Sequence, residues 1–366
     1  MLSIVVPTYN ESGNVDELVG EIRRELAEKP YEVVFVDDSR DDTPRVLEEL
    51  AGRDPHVRYV HREDGRGLAD AACEGFRLAR GDIVAVMDAD LQHPPSTLHP
   101  MLEALEDPGV DLVIASRYMP GGTDGGLSPL RKAVSFVARS IGRLFLPVTL
   151  AGVTDPTSGF FMFRKDILEG SQLQPLGWKI LLEVLVRSGR LGVREVPLSF
   201  GSRHAGASKM SVGEQWNYIR HLVRLMSVSP ADRRFLLFAL VGGFGVLVNM
   251  AIYYALSHLV HVRVEISGAT SATVAMLVNF VLNNRYTWSD AARAAVHVRL
   301  LKYCLFSVVG IGISTSVLGV MYYGAHADYL VANLIGIATA MVWNFWSNNT
   351  WTWEPAAKTP GAERVS

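Results

Sequence analysis

Cysteine is scarce in this sequence. The 366 residues include two cysteines, Cys73 in a stretch rich in charged residues and Cys304 in an apolar run. So few and so widely separated thiols exclude a disulfide framework and a Cys-x-x-Cys metal site, and they fit a reducing compartment.

The sequence also lacks a basic excess, and its first residues show no signal-peptide pattern. It has 35 Lys and Arg residues against 38 Asp and Glu residues, a net charge of −3. Nucleic-acid-binding proteins normally carry the opposite balance, so no nucleic-acid partner is expected. The N-terminus, MLSIVVPTYNE, shows no basic segment followed by an apolar core. We therefore expect no cleaved signal peptide, and we expect the first half of the chain to stay on the cytoplasmic side.

Charge becomes rare after about residue 234, where long apolar runs begin. Four runs approach the about 20 apolar residues that a helix needs to cross a bilayer: 235–259, 264–283, 301–323 and 329–346. We predict an all-α transmembrane domain at 231–353, preceded by a domain at 1–230 and followed by a disordered cytoplasmic tail at 354–366.

The charges beside these runs predict their orientation in the cell membrane. Arg285, Arg293, Arg299 and Lys302 flank the connection between the second and third runs, whereas the outer turns carry little charge apart from Arg263. The positive-inside rule then places that connection, both termini and the N-terminal domain in the cytoplasm.

The apolar half contains an internal repeat. Asn279 and Asn344, Asn283 and Asn348, and Trp288 and Trp353 are each separated by 65 positions. The repeated unit is one helical hairpin, which predicts two tandem hairpins of the same orientation. We expect the tryptophans to lie in an aromatic belt. The paired asparagines are interpreted as hydrogen-bonding groups between helices, with a polar transport cavity as the alternative.

The first 115 residues alternate strand and helix patterns. Apolar strand-like runs at 2–7, 32–36, 83–87 and 111–115 are interspersed with helical periodicity at 15–26 and 43–50. This order predicts an α/β fold with a mostly parallel sheet, in which ligands bind beyond the carboxyl ends of the strands. Polar groups follow each run, and we expect them to converge on one crevice: Tyr9, Glu11, Asp38, Asp88, Asp90 and Arg117.

Two short motifs in this crevice indicate particular ligands. Asp88, Asp90 and Gln92 supply hard oxygen ligands of the kind that Mg²⁺ or Mn²⁺ prefers, although a solvated turn capped by aspartates has the same pattern. Residues 7–11 (PTYNE) and Asp37-Asp38 offer an aromatic face and acidic acceptors that suit a nucleoside. The alternative is turn chemistry, with Asn10 or Ser12 capping the next helix.

Two segments, 129–147 and 212–228, have a basic amphipathic pattern. The first places apolar residues such as Val134, Val137 and Leu144 on one face and Arg131, Lys132, Arg139 and Arg143 on the other. The second opposes Trp216, Ile219, Leu222, Val223 and Met226 to Arg220 and Arg224. Such helices lie in a membrane interface, and the alternative is an ordinary surface helix packed on a core.

Seven stretches within residues 1–230 together resemble one family. They are VVPTYNE, VDDS, MDADLQHPP, ASRY, DPTSGFF, GWKILLE and RHAGASKM, in that order. They are similar to glycosyltransferase family 2, whose members have the GT-A (Rossmann-like) fold, and more narrowly to the dolichol-phosphate mannose synthases. The apolar half resembles the GtrA-like four-helix domain.

The resemblance implies roles for individual residues. Pro7, Tyr9, Glu11, Val36 and Asp38 would bind the nucleotide. Asp88, Ala89, Asp90 and Gln92 would hold the metal and the diphosphate, and Arg117, Arg131 and Ser135 the acceptor phosphate. Arg203 and Lys209 would close over the donor diphosphate or the acceptor phosphate. Arg40, after Asp37-Asp38-Ser39, departs from the expected pattern.

The implied activity is transfer of mannose from GDP-mannose to dolichyl or another polyprenyl phosphate at the bilayer surface, by a metal-dependent inverting displacement. Two alternatives remain open at this point. One is a synthase that uses UDP-glucose or a UDP-N-acetylhexosamine. The other is a lipid-linked sugar flippase or scaffold whose N-terminal half only binds.

Overall fold

The computed structural model describes residues 1–65, 67–126, 128–189, 191–201, 212–291 and 294–353. The chain divides into two compact units, Met1–Asp232 and Arg233–Ser366. The predicted tail at 354–366 lies outside the described residues.

Within the described residues, seven strands of the first unit form one sheet in the order β3-β2-β1-β4-β6-β5-β7. Their bounds are β1 Leu2–Thr8, β2 Tyr31–Asp37, β3 Val57–His61, β4 Ile83–Val86, β5 Leu112–Ser116, β6 Phe161–Arg164 and β7 Val193–Pro197. β6 runs antiparallel to β4 and β5, while the other pairings are parallel. The predicted mostly parallel sheet is confirmed.

Helices cover both faces of this sheet, as the alternating side chains of its strands require. They are α1 Val15–Glu25, α2 Thr43–Arg53, α3 Leu68–Leu78, α4 Leu98–Leu105, α5 Pro129–Phe145, α6 Ile180–Arg187 and α7 Val212–Val228. In β1, Ile4 and Val6 join one buried cluster with α1, α2 and α4. Val5 points to the other face and joins α3, α5, α6 and α7. Both faces of the sheet are therefore buried.

The apolar side chains of α5 divide between two environments. Ala138, Ile141 and Phe145 pack on the second core, whereas Val137 and Leu144 are exposed. Val137 and Leu144 lie on the predicted apolar face, and the core covers only one edge of that face.

The helix α7 divides in the same way. Leu222 is buried and Ile219 and Met226 pack against the second core, whereas Trp216 and Val223 are exposed. The predicted apolar face is therefore present in this helix too, and the core covers only part of it. Packing on a core and exposure of apolar side chains occur together on one helix.

The second unit consists of long helices. They are α8 Pro230–Tyr254, α9 Val264–Leu282, α10 Val296–Gly319 and α11 Tyr329–Ser347, each extended by a π-helical turn. With those turns, four stretches of the described residues are long and apolar enough to cross a membrane: Pro230–Leu259, Val264–Thr287, Val296–Gly324 and Tyr329–Thr352. The predicted spans are confirmed and are longer than expected at most ends.

The sequence repeat is visible as matched contacts in this unit. The rings of Trp288 and Trp353 stack with centroids 4.4 Å apart. Trp288 Nε1 donates to Asn349 Oδ1 at 3.1 Å, and Trp353 Nε1 donates to Asn284 Oδ1 at 3.2 Å. Asn284 and Asn349, which follow the repeated Asn283 and Asn348, thus hydrogen-bond between helices. Asn283 and Asn348 instead bond within their own helices, to Thr287 Oγ1 at 2.8 Å and to the Asn344 carbonyl at 2.7 Å. The predicted aromatic belt is wrong for these tryptophans, because their rings are buried against each other.

Candidate active site

A cavity of about 680 Å³ in the first unit collects most of the predicted site residues. Its wall includes Pro7, Tyr9, Glu11, Asp38, Asp88, Ala89, Asp90, Gln92, Arg117, Arg131 and Ser135. Val36 is fully buried in β2 and does not belong to the wall. Arg203 and Lys209 lie outside the described residues. The polar groups that follow β1, β2, β4 and β5 therefore converge, as the strand order predicted.

The two consecutive aspartates after β2 have different environments. Asp37 is fully buried, and its carboxylate accepts hydrogen bonds from Thr8 Oγ1 at 3.0 Å and from the Ser39 hydroxyl. Asp38 reaches the cavity and forms a bidentate pair with Arg62, with both N–O distances 2.7 Å. Gly65 packs so closely on Asp38 that an added Cβ would lie 2.4 Å from its Cγ. Asp37 thus holds the turn, and Asp38 is the fixed acceptor in the wall.

The turn after β1 is tied to the turn after β2. Asn10 has a φ of 58°, and its side-chain oxygen accepts the backbone N–H of Arg40 at 2.9 Å. Ser12 contacts Asp41 at 3.2 Å, and α1 begins after Asn14 with no side-chain cap. The prediction that Asn10 or Ser12 caps the helix is therefore wrong, because both side chains bond to the neighbouring turn. Asn10 holds two cavity-lining turns in register.

The Asp88-Ala89-Asp90 turn offers oxygen atoms to the cavity. Gln92 donates through Nε2 to the carbonyl of Gly201 at 3.1 Å, which orients its amide. His93 Nδ1 accepts the backbone N–H of Asp88 at 3.0 Å, as a neutral ring does. Burial lowers the pKa of His93, which favours that neutral form. The turn is therefore held by the Gly201 carbonyl and by a buried imidazole.

The oxygen ligands at this turn fit a divalent metal ion. Two carboxylates and an amide oxygen are hard ligands, and a diphosphate can complete the shell. Among the residues that the structure describes, no cluster of three His, Cys, Asp or Glu side chains could hold a metal ion unaided. Gly159 leaves room here, since an added Cβ would lie 3.2 Å from a carboxylate oxygen of Asp88.

Arg117 and Asp155 form a buried ion pair at the other side of the cavity. Arg117 Nε and Nη2 donate to the two oxygens of Asp155 at 2.7 and 3.0 Å. Asp155 is fully buried. Burial alone raises the pKa of Asp155, but the hydrogen bonds and charge of Arg117 outweigh it and lower the net pKa. The carboxylate therefore stays ionised and fixes the guanidinium.

Tyr118 links this pair to α5. Its hydroxyl lies 2.8 Å from Ser135 Oγ. The guanidinium of Arg139 lies over its ring, 3.5 Å from the centroid. Arg139 and Arg143 also donate to the carbonyl of Thr154. Of the residues predicted on the basic face of α5, Arg139 packs inward, whereas Arg131 is exposed beside the cavity.

Sequence reasoning missed Asp155 and Lys179. The Lys179 ammonium lines the cavity, donates to the carbonyl of Thr157 at 2.9 Å and lies 4.1 Å from the Trp178 ring centroid. Both residues stand in stretches that carried the family resemblance, DPTSGFF and GWKILLE. Position in those stretches was the available signal, but no role had been attached to either side chain.

The fold and this cavity define the class. A mostly parallel sheet with an Asp-x-Asp turn in a crevice at its strand ends is the architecture of a GT-A glycosyltransferase. Residues 3–171 match Glycosyl transferase family 2, and residues 237–353 match the GtrA/DPMS transmembrane domain.

Individual relatives are more specific. The dolichol-phosphate mannosyltransferase of Pyrococcus furiosus is 37% identical over 96% of this chain and 99% of its own length. That of Saccharomyces cerevisiae is 35% identical over 70% of this chain and 98% of its own length. The undecaprenyl-phosphate mannosyltransferase of Micrococcus luteus is 37% identical over 57% of this chain and 87% of its own. The chain belongs to the dolichol-phosphate mannosyltransferase family within glycosyltransferase family 2, and it is a multi-pass membrane protein.

One solved structure supports the fold at lower similarity. Glucosyl-3-phosphoglycerate synthase from Mycobacterium tuberculosis, in complex with Mn²⁺, UDP and glucosyl-3-phosphoglycerate, superposes with a TM-score of 0.50 and 21% identity. The match covers 63% of this chain and 80% of that one. It confirms the GT-A-like architecture of the first unit.

Proposed function

We propose that the protein transfers mannose from GDP-mannose to a polyprenyl phosphate, such as dolichyl phosphate, and forms polyprenyl β-D-mannosyl phosphate. The observation that carries this proposal is a single cavity with the Asp88 and Asp90 carboxylates in one part of its wall and basic side chains in another. Family membership supports mannose as the sugar and a lipid phosphate as the acceptor.

The donor binds at the carboxyl ends of β1, β2 and β4 in this proposal. Tyr9, which is 40% exposed, offers a ring face to the base. Asp38, held by Arg62, accepts hydrogen bonds from the nucleoside, and Pro7 and Glu11 complete the pocket. Asp88, Ala89, Asp90 and Gln92 face the diphosphate. Arg203 and Lys209 are proposed, from the family resemblance alone, to close over the phosphates.

A divalent metal ion, Mg²⁺ or Mn²⁺, is proposed at Asp88, Asp90 and Gln92. When bound, it would neutralise the donor diphosphate and stabilise the departing nucleoside diphosphate. The protein itself orients the groups that would bind the metal ion. The Gly201 carbonyl fixes the Gln92 amide, and the imidazole of His93 fixes the backbone beneath Asp88.

The acceptor needs little activation. A phosphate monoester has a second pKa of about 6, so it is already a nucleophile at neutral pH. One of its oxygens forms the new bond to the anomeric carbon, while the bond from that carbon to the diphosphate breaks and GDP leaves. A single displacement inverts an α-linked donor to a β-linked product. Arg117, Arg131 and Ser135 are proposed to hold the phosphate against the repulsion of the donor.

The exposed apolar side chains of α5 and α7 are proposed to contact the membrane interface. Phe136, Leu144 and Trp216 are 62%, 65% and 64% exposed. Lipid tails are costly to move into water, at about 0.8 kcal/mol per CH₂ group, so the enzyme must work at the bilayer surface. The charge distribution supports a cytoplasmic location for the first unit and both termini.

The proposal is tested by incubating membranes that contain the protein with labelled GDP-mannose and labelled UDP-glucose in parallel. Label from GDP-mannose should enter the lipid fraction and be released by mild acid as mannose. Label from UDP-glucose alone would replace the donor in this proposal. Labelling from neither donor, in the presence of added polyprenyl phosphate and Mg²⁺ or Mn²⁺, would refute the enzymatic function and favour a flippase or scaffold.

A further inference from the structure

The two copies of the repeat in the second unit differ in charge near the start of their first helix. Arg234 and Arg299 occupy equivalent positions, 65 residues apart. Arg234 Nη2 pairs with Asp290 at 2.6 Å. Position 355, which is equivalent to Asp290, carries proline, and Lys302 stands where the first copy has a leucine. At these positions the second copy therefore has one acid fewer and one cation more.

Arg299 and Lys302 lie one turn apart on α10, and both hydrogen-bond to neutral oxygens. Arg299 Nη1 donates to Asn284 Oδ1, and Lys302 Nζ donates to the Trp351 carbonyl at 2.8 Å. These contacts orient the two cations without neutralising them. The Nε–H of Arg299 is buried and has no acceptor within the described residues, so the protein leaves part of this guanidinium unsatisfied.

The carboxylates of the second unit are engaged elsewhere. Its described part contains three, at Glu265, Asp290 and Asp328. Asp290 pairs with Arg234, and Glu265 pairs with Arg263. Asp328 accepts two backbone N–H groups at the start of α11. In the part of this unit that the structure describes, the charges of the two α10 cations therefore have no carboxylate to balance them.

The surroundings of the two cations suit a lipid better than a free ion. Val298, Leu301 and Leu305 lie within about one turn of Lys302 on α10, and they are 38%, 72% and 59% exposed. Exposed apolar side chains beside cations match a ligand with an anionic head and an apolar chain. Basic side chains at the end of a membrane-spanning helix bind anionic headgroups in this way.

We propose that Arg299 and Lys302 bind the phosphate headgroup of an anionic bilayer phospholipid, whose chain lies along Val298 and Leu305. A phospholipid is favoured over polyprenyl phosphate because this apolar surface is an open helix face, which does not discriminate between chains, and because phospholipids are the main anionic lipids of a bilayer. Arg299 and Lys302 are not among the residues that line the cavity of the first unit. The inference therefore does not depend on the proposed function.

The test uses the full-length protein in a neutral detergent. Thermal melting is followed while phosphatidylglycerol, zwitterionic phosphatidylcholine, a short-chain polyprenyl phosphate or inorganic phosphate is added. Arg299→Gln and Lys302→Gln each remove one cation, and Lys302→Gln disturbs the fold least because its hydrogen bond is to a single carbonyl. Arg234→Gln is the matched control, since it removes the equivalent arginine of the first copy, whose charge Asp290 already balances.

Phosphatidylglycerol should raise the melting temperature of the parent protein by about 2–4 °C or more at saturation, and phosphatidylcholine by much less. The lipid concentration that gives half of this rise should increase about 10-fold or more in Arg299→Gln and in Lys302→Gln, as the loss of a charge-assisted hydrogen bond predicts. In Arg234→Gln it should stay within about threefold of the parent value, although loss of the ion pair lowers the starting melting temperature.

Three results would overturn the inference. An unchanged response to phosphatidylglycerol in the folded Arg299→Gln and Lys302→Gln variants would show that these side chains do not bind it. Equal stabilisation of the parent by phosphatidylcholine or by inorganic phosphate would show that an anionic lipid is not required. Stabilisation by polyprenyl phosphate alone, lost in Arg299→Gln, would assign the site to that lipid instead. Failure of the proposed function would leave all these measurements unchanged, because none of them depends on mannose transfer.

Discussion

The two units of this chain organise their polar side chains in opposite ways. In the first unit, partners come from distant and unrelated segments, such as Arg117 with Asp155 and Gln92 with the Gly201 carbonyl. In the second unit, partners are related by the internal repeat, so that Trp288 meets Asn349 and Trp353 meets Asn284. The first unit gathers different groups around a cavity. The second forms the same Trp–Asn hydrogen bond in both copies of its repeat.

This difference separates a first unit suited to catalysis from a second unit suited to structural support. A transfer reaction needs groups of opposite charge and different shape in one place, which a repeated hairpin does not readily supply. Apolar surroundings instead require each polar group to find a partner, and a repeat supplies matched partners. We therefore expect substitutions in the first unit to change catalysis and matched substitutions in the second to change stability.

The largest expected effect is at the Asp-x-Asp turn. Asp90→Asn should lower kcat by about 10³-fold or more, because a metal ion contributes several kcal/mol of charge stabilisation. Gln92→Ala removes a neutral ligand, so it should retain measurable activity. Steady-state rates across a Mg²⁺ and Mn²⁺ titration provide the measurement. Full metal-dependent turnover of Asp90→Asn would show that the first unit holds its metal elsewhere.

A second test asks whether Arg131 binds substrate or only the bilayer. Arg131→Ala should weaken apparent acceptor affinity by about 10- to 100-fold, since it removes charge-assisted hydrogen bonds. Donor affinity should stay nearly unchanged, and Arg131→Lys should be intermediate because it loses the bidentate fork.

The matched control is Arg220→Ala, at an exposed position on α7. Arg139 is unsuitable as a control because it packs on Tyr118. Kinetics with a soluble short-chain polyprenyl phosphate separate the two ideas. Equal, small effects in Arg131→Ala and Arg220→Ala would reduce Arg131 to a headgroup contact.

A truncation tests the comparison directly. The boundary must keep Asp232, whose carboxylate accepts the backbone N–H of Val148 at 2.6 Å and the hydroxyl of Ser229 at 2.5 Å. A chain of residues 1–232 should bind GDP as the full protein does but transfer poorly to long polyprenyl phosphates. A chain ending at residue 228 should melt at a lower temperature. Loss of GDP binding by a folded 1–232 chain would contradict the division of labour.

Acidification should affect the first unit through its buried carboxylates. Glu183 is fully buried; burial opposes its ionisation, but hydrogen bonds from His221 and Arg187 outweigh this and lower its pKa, as Arg117 does for Asp155. A depressed folded-state pKa stabilises the fold above the unfolded value of about 4 and loses that contribution as pH falls through the folded value. The thermal stability of the first unit, measured by the loss of GDP binding on heating, should therefore fall below about pH 4. Glu183→Gln should flatten that dependence.

The smallest effects are expected in the repeat. Trp288→Phe and Trp353→Phe each remove one indole hydrogen bond while keeping a stacked ring, and each should cost about 0.5–1.5 kcal/mol. Because the two bonds are equivalent, thermal melting in detergent should drop by the same amount in both variants. Mannose transfer per folded molecule should not change. Unequal losses, or a loss of kcat in one variant, would break the symmetry that the comparison assumes.

Much of the fold could be predicted from local patterns. Alternating apolar runs indicated β1, β2, β4 and β5, and long uncharged runs indicated the four spans. The strands β3, β6 and β7 were missed. β3 is only partly buried, and β6 is a short strand of four residues, so both lack the long apolar pattern that marks a buried strand. The family motifs also indicated the Asp88 to Gln92 turn.

The sequence by itself determined four of the strands, the Asp-x-Asp turn, the repeat and the apolar spans, because each depends on residues close together in the chain or on a constant spacing. Tertiary structure alone decided that Asp155 neutralises Arg117, that Arg139 packs inward on Tyr118, and that Thr157 brings Lys179 beside Arg117. Such contacts join residues 21 to 40 positions apart. Their geometry depends on how the sheet and helices pack, since no local pattern records which distant charge a side chain will meet.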